Sequence, residues 1–250
     1  MRGVAGMPRR ERVIVALDEQ TLDEARAIVG SLDGCIDFFK VGIGIYTICG
    51  PELVKLLGIM HKRVFLDLKF HDIPNSVSLA VKTALDRNVE MLNLHISGGV
   101  EMMKAAVRTA GRDSKPSSSR FPIVLGVTLL TSLNENDLSV MFKDRQPNVI
   151  EFVLTMAALA KEAGLDGVVA SGHEIEPVKK LCGDDFLVVT PGIRPPWARR
   201  DEHKRALGPR EAFERGADFI VIGRPITHAT DPREAALRVI DEVDSSSPRT

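Results

Sequence analysis

Eight short apolar or β-branched runs recur along the chain, with segments of helical periodicity between them. The runs are Val13–Leu17, 36–41, 64–68, 91–94, Ile123–Val127, 167–170, Leu187–Thr190 and Phe219–Ile222. The clearest helical stripes are Leu22, Ala25, Ile28, Val29 and Leu32; then Leu53, Leu56, Leu57 and Met60; then Val77, Ala80, Val81, Ala84 and Leu85. Strands that alternate with helices form a parallel sheet. Eight such units in 250 residues fit an α/β protein of the (β/α)8 TIM-barrel type better than the alternative, an open doubly wound sheet. We expect one domain over residues 1–250, with loose ends at 1–10 and 244–250.

Punctuation agrees. Pro51, Pro209 and Pro232 stand where first helical turns are due, and Asp231 is placed to cap the last helix. Gly164 and Gly216 follow helical stripes, as helix-ending glycines do. The serine-rich stretch 112–120 reads as a surface loop. The proline- and arginine-rich stretch 195–202 reads as a loop after the seventh strand.

Composition narrows the function classes. Net charge is −1, with 33 basic and 34 acidic residues spread along the chain, which argues against nucleic acid or a membrane surface as partner. Three scattered cysteines, Cys35, Cys49 and Cys182, form no CxxC pair, so neither a disulfide framework nor a zinc site is expected. A sparse, odd count suits a reducing cytoplasm. The basic start MRGVAGMPRRER has no apolar stretch behind it, unlike a secretory signal. Met1 and Met7 both remain open as the start.

Residues 64–75, VFLDLKFHDIPN, carry the most chemistry. Side chains alternate faces along a strand, so Phe65, Asp67 and Lys69 share one face and Leu66 and Leu68 the other. Asp67 and Lys69 then point together near the strand's C-terminal end, which in a barrel is the active-site end. Asp72 follows in the loop. Pro74 is expected to hold the chain out of helix until Asn75 or Ser76 caps the next one. The second strand delivers Lys40 after two phenylalanines, and the first ends at Asp18. One charge at a strand end is ordinary; four at matching ends form a Lys–Asp array in which each buried charge has a partner. After the eighth strand, Gly223 lets the backbone approach a phosphate and Arg224 offers a fork of N–H donors to grip it.

The segment DLKFHDIPN, with VALD before it and TPGIRP and VIGRPIT after it, resembles the bacterial type of orotidine 5′-phosphate decarboxylase. The resemblance runs from about Val13 to Thr227. It implies conversion of orotidine 5′-monophosphate to uridine 5′-monophosphate, the last step of de novo UMP synthesis, without metal or organic cofactor. It implies that Lys69 donates the proton within a tetrad of Lys40, Asp67, Lys69 and Asp72. By the same resemblance Asp72 reaches the neighbouring subunit's site in a homodimer, with Ile73 and Ser76 serving the partner's pocket. Ser76 stands where the family often has threonine. Asp18 and Lys40 match ribose-binding residues, Thr131 the pyrimidine contact, and Arg194 joins Gly223 and Arg224 on the phosphate. His95, at the end of the fourth strand, is left outside the catalytic set.

The implied chemistry is coherent. Loss of CO2 leaves a carbanion at pyrimidine C6 with no π system to spread it, so stabilisation must be electrostatic. A preorganised ammonium group supplies that. Asp67 near the departing carboxylate would add repulsion of about 4 kcal/mol at ~4 Å and an effective dielectric of ~20, a secondary effect beside Lys69. Two alternatives stay open. A lyase of the same superfamily would use the DxKxxD pattern with Mg2+. A barrel that only binds nucleotide would not turn over at all.

The sequence departs from the family at His203, where glutamine is usual, in a loop that closes over the phosphate and base. Histidine there predicts pH-sensitive substrate binding between about 6 and 7, near its ordinary pKa of ~6.5. In binding titrations across that range, His203→Gln is expected to flatten the profile. An unchanged affinity and slope would contradict it.

Overall fold

The computed structural model describes residues 6–111, 122–141, 148–198 and 207–245. Eight parallel strands close into a barrel in chain order, with the eighth paired back onto the first. They are β1 (Val13–Leu17), β2 (Phe38–Gly42), β3 (Arg63–Phe70), β4 (Met91–His95), β5 (Ile123–Val127), β6 (Gly167–Val169), β7 (Leu187–Thr190) and β8 (Phe219–Ile222). Around them lie α1 (Leu22–Ser31), α2 (Ile43–Cys49), α3 (Pro51–Ile59), α4 (Pro74–Leu85), α5 (Val100–Thr109), α6 (Glu135–Met141), α7 (Val149–Glu162), α8 (Ile175–Cys182), α9 (Pro209–Glu214), α10 (Arg224–Thr227) and α11 (Pro232–Asp244). The architecture is the expected (β/α)8 barrel.

Period-two alternation explains why the strands read as unbroken apolar runs. Ile14, Ala16, Phe38, Phe65, Met91, Leu125, Val189, Phe219 and Val221 fill the barrel's interior. Their neighbours Val13, Val15, Phe39, Val41, Leu66 and Leu92 face outward beneath the helices. Both faces are buried, so neither tolerates charge. Phe38 and Phe219 meet edge to face with ring centres 5.9 Å apart. The interior is thus a packed core, and polar side chains on inward positions find room only above it, at the C-terminal ends of the strands.

The helix starts expected at Pro51, Pro209 and Pro232 are present, and the Asp231 carboxylate accepts the Glu234 N–H at 3.0 Å. The expectation at Pro74 is corrected. Pro74 is itself the first residue of α4, preceded by Ile73 with no side-chain cap, so neither Asn75 nor Ser76 is the cap. Proline's fixed φ suits the first helical position, where its missing N–H costs nothing. Of the end expected to be loose at 1–10, residues 1–5 lie outside the described residues. Met7 packs against the barrel's inner cluster, residues Arg9–Arg12 form a 3-10 turn, and the Arg9 and Arg12 guanidinium groups lie over the Phe213 ring. At the other end α11 continues to Asp244. The stretch 112–120 and the tail 246–250 lie outside the described residues.

Gly167 pairs with Leu187 where β6 meets β7, and a Cβ there would stand 2.1 Å from the Leu187 carbonyl oxygen. Gly167→Ala is therefore expected to destabilise the fold by about 1–3 kcal/mol or more. A denaturant titration showing wild-type stability would contradict this packing.

Candidate active site

Register brings the first three charged residues together. Lys40 pairs with Phe65, and Gly42 with Asp67, so Lys40 and Asp67 both rise from inward positions at the top of adjacent strands. Asp18 follows the end of β1. The Lys40 ammonium lies 3.3 Å from Asp67 Oδ2 and 3.8 Å from Asp18 Oδ1. Lys40 and Asp67 are largely shielded, at 13% and 12% side-chain exposure, whereas Asp18 is open at 58%. Gly42 makes the space: a Cβ there would come within 2.8 Å of Lys40 Nζ. Glycine at 42 is thus part of the site, a role that sequence reading missed.

Lys69 joins the cluster by an unexpected route. Its φ is +51°, in the left-handed region that lysine rarely enters, at a typical cost of about 1–3 kcal/mol. The β3–β4 register shifts between Leu66 and Phe70, as at a bulge. Lys69 therefore points toward Asp67 because the strand is bent, and simple alternation does not account for it. Its ammonium lies 2.7 Å from Asp67 Oδ1. Asn93, an inward residue of β4 that is fully buried, donates from Nδ2 to the same oxygen at 2.7 Å. Its Oδ1 accepts the Lys69 backbone N–H at 2.8 Å. A lone polar residue inside the apolar run MLNLH was the signal that would have found it.

A second positive region lies on the β7–β8 side. Burial pushes the Arg194 guanidinium below its usual value, and the neighbouring Arg224 charge adds to that. Arg224 opens α10 and is exposed. Gly223 sits beside β1, where a Cβ would touch Ala16 Cβ at 3.4 Å and Asp18 Oδ2 at 3.5 Å. Both arginines follow the C-terminal ends of adjacent strands, β7 and β8, and guanidinium groups suit an anion with several acceptor oxygens.

The remaining predicted residues stand apart from this cluster. Asp72 is exposed, and its carboxylate accepts the Ile73 N–H at 2.6 Å. Ile73 is 66% exposed and Ser76 is exposed in the first turn of α4. Thr131 is exposed in the turn that the Leu133 N–H closes on the Leu130 carbonyl. His203 lies outside the described residues. Of the stretch 195–202 expected to be a loop, Pro196–Ala198 form a 3-10 turn with the Arg238 guanidinium 4.5 Å above the Trp197 ring. His95 packs against His71, ring centres 5.3 Å apart. Burial lowers its pKa, and the charges of His71 and Lys69 lower it further. Among the described residues no three His, Cys, Asp or Glu side chains are grouped to hold a metal ion, and no helix is long and apolar enough to cross a membrane.

Comparison with known proteins adds a family. Residues 11–239 match the model of the orotidine 5′-phosphate decarboxylase / HUMPS family. An orotidine 5′-phosphate decarboxylase of Syntrophomonas wolfei is 42% identical over 238 residues, covering 95% of this chain and 100% of that protein. The enzyme of that name from Geotalea daltonii is 44% identical over 94% of this chain and 96% of its own. The crystal structure of orotidine 5′-phosphate decarboxylase from Lactobacillus acidophilus superposes with a TM-score of 0.80 at 35% identity, over 94% of this chain and 100% of that one.

Glu19, next to Asp18, has both carboxylate oxygens buried and outside hydrogen-bond geometry with any donor among the described residues. Burial raises its pKa, the Asp18 charge raises it further, and local backbone N–H groups and His228 offset part of the rise. A carboxyl raised in the folded state contributes stability that is complete below its unfolded pKa and is lost as pH climbs through the folded one. Glu19→Gln is therefore expected to match wild type near pH 4 and to melt at higher temperature near pH 7, relative to an unfolded glutamate pKa of ~4.3. A stability difference that is constant with pH would contradict the assignment.

Proposed function

We infer that this chain, which belongs to the orotidine 5′-phosphate decarboxylase / HUMPS family, converts orotidine 5′-monophosphate to uridine 5′-monophosphate and CO2 in pyrimidine biosynthesis. One observation carries the residue-level reading. The Lys69 ammonium is held 2.7 Å from a shielded Asp67, in the mouth of a barrel whose β7–β8 side carries Arg194 and Arg224. The family takes in HUMPS proteins as well as decarboxylases; the names and near-complete coverage of the curated relatives favour the decarboxylase.

In this reading the substrate phosphate lies on Arg224, Arg194 and the backbone at Gly223. Asp18 and Lys40 take the ribose hydroxyls, Thr131 the pyrimidine edge, and His203 lies in the segment that folds over the phosphate. The ring then sets C6 against Lys69. The bond from C6 to the carboxylate breaks, CO2 departs, and the electron pair stays on C6. The Lys69 ammonium steadies that pair and transfers a proton to it, giving the product and a neutral amine that solvent reprotonates. The stabilisation works because the ammonium is in place beforehand and needs no reorganisation at the moment of reaction. Repulsion between Asp67 and the departing carboxylate is the lesser contribution. The scheme needs neither metal nor organic cofactor.

We also propose a homodimer in which Asp72 completes the partner's tetrad. Three features support it. Asp72 and Ile73 are exposed on the β3–α4 loop. An apolar cleft of about 300 Å3 between α2 and α4 is lined by Tyr46, Leu68, Phe70 and Leu79. Ile43, Ile48 and Leu79 are more than half exposed, which a monomer has little reason to tolerate. Three free cysteines suit the cytoplasm.

Turnover is followed as the loss of orotidine 5′-monophosphate ultraviolet absorbance. Lys69→Ala is expected to lower kcat by many orders of magnitude while substantial binding persists, and wild-type activity is expected to survive exhaustive chelation. Mixed Lys69→Ala and Asp72→Ala subunits are expected to recover activity through one intact site per hybrid dimer. Near-normal turnover by Lys69→Ala would refute the proton donor, and failure of the hybrids would refute the crossing of Asp72.

A further inference from the structure

We propose that Asn93 is a positioning residue for the reaction: its side-chain amide clamps both the Asp67 carboxylate and the strained Lys69 backbone, and thereby aims the Lys69 ammonium. The inference rests on the reading of Lys69 as proton donor given above.

The geometry is specific. Asn93 is completely buried on β4, the strand whose ladder with β3 is interrupted between Leu66 and Phe70. At that interruption Lys69 adopts φ +51°, and its N–H finds Asn93 Oδ1 at 2.8 Å. The other half of the amide, Nδ2, donates to Asp67 Oδ1 at 2.7 Å, the oxygen that also receives the Lys69 ammonium at 2.7 Å. One planar group thus holds the two ends of a small loop: the backbone of Lys69, and the anion its side chain binds.

Only one orientation of the amide works, since a flip would set N–H against N–H and oxygen against carboxylate. Few side chains replace it. Leucine has neither donor nor acceptor. Alanine leaves the Lys69 N–H and one Asp67 lone pair unsatisfied in a buried place. Aspartate keeps an acceptor for the backbone but loses the donor to Asp67 unless it carries a proton. Loss of the clamp removes the acceptor that holds the Lys69 N–H at this break in the ladder, and relaxation of Lys69 toward ordinary strand geometry would swing its ammonium away from where the reacting carbon must lie.

Asn93→Asp separates positioning from mere stability. In Asn93→Asp the new carboxyl faces the Asp67 oxygen that Asn93 Nδ2 reaches at 2.7 Å, and two carboxylates in that contact repel unless the new one carries a proton. While it does, the donor to Asp67 is restored; as pH rises it is lost. The other titratable neighbours, His95 with His71, are common to both proteins, so the profile is read as a ratio to wild type.

The experiment measures kcat and KM for orotidine 5′-monophosphate across pH in wild type, Asn93→Ala, Asn93→Asp and Lys69→Ala, with thermal melts of each. Asn93→Ala is expected to lose roughly 100-fold in kcat, the scale of a misplacement of about 1 Å, with KM changed far less. For Asn93→Asp, kcat relative to wild type is expected to rise about tenfold per pH unit as pH falls toward the pKa of the new carboxyl. If Asn93→Ala fails to fold, the Asn93→Asp profile decides. A flat ratio across pH, or an Asn93→Ala kcat within about twofold of wild type, overturns the clamp while a dead Lys69→Ala leaves the proton donor standing. An active Lys69→Ala overturns the underlying reading instead.

Discussion

The Asp67 carboxylate is the point on which the site depends. One oxygen accepts Lys69 Nζ and Asn93 Nδ2, each at 2.7 Å, and the other faces Lys40 Nζ at 3.3 Å. An anion shielded to this degree is tolerated only because every side is met by a donor, and removing one partner of such a group typically costs about 3–5 kcal/mol. In return the carboxylate lets two ammonium groups stand close together.

The barrel decides where such a cluster can exist. Its lower interior is filled by aromatic and aliphatic side chains, with Met7 packed against them. Inward positions carry charge only where the apolar layers stop. On β2 and β3 that happens at Lys40 and Asp67, and past the end of β8 the chain runs through Gly223 to the exposed Arg224 that opens α10. The positive region on the β7–β8 side and the Lys–Asp cluster on the β1–β3 side therefore open at the same mouth. A nucleotide monophosphate presents the matching pair of demands, an anion at one end and a reacting ring at the other.

The site also shows the limit of period-two reasoning. Alternation predicted that Asp67 and Lys69 would point together. The structure brings them together with Lys69 off the strand geometry that the prediction assumed. The same local departure creates the need for Asn93, which reads in sequence as one polar residue in an apolar strand. Pro74 carries a similar lesson. Proline excludes helix before itself as readily as it begins one, and the tight turn from β3 into α4 selects the second use.

Sequence alone determined the eight strands, the alternation that buries both their faces, and the proline and aspartate signals at helix starts, because these follow from side-chain volume, polarity and backbone restrictions that act locally. It also carried the charged positions Asp18, Lys40, Asp67 and Lys69 at the ends of apolar strands, which the fold brings into one cluster. Tertiary structure alone decided the space at Gly42, the left-handed turn at Lys69, the double hydrogen bond of Asn93, and the nearness of Arg194 to Arg224. Each of these depends on the distance between atoms from different strands or loops, which is set by register and closure of the whole barrel and is written in no single segment of the chain.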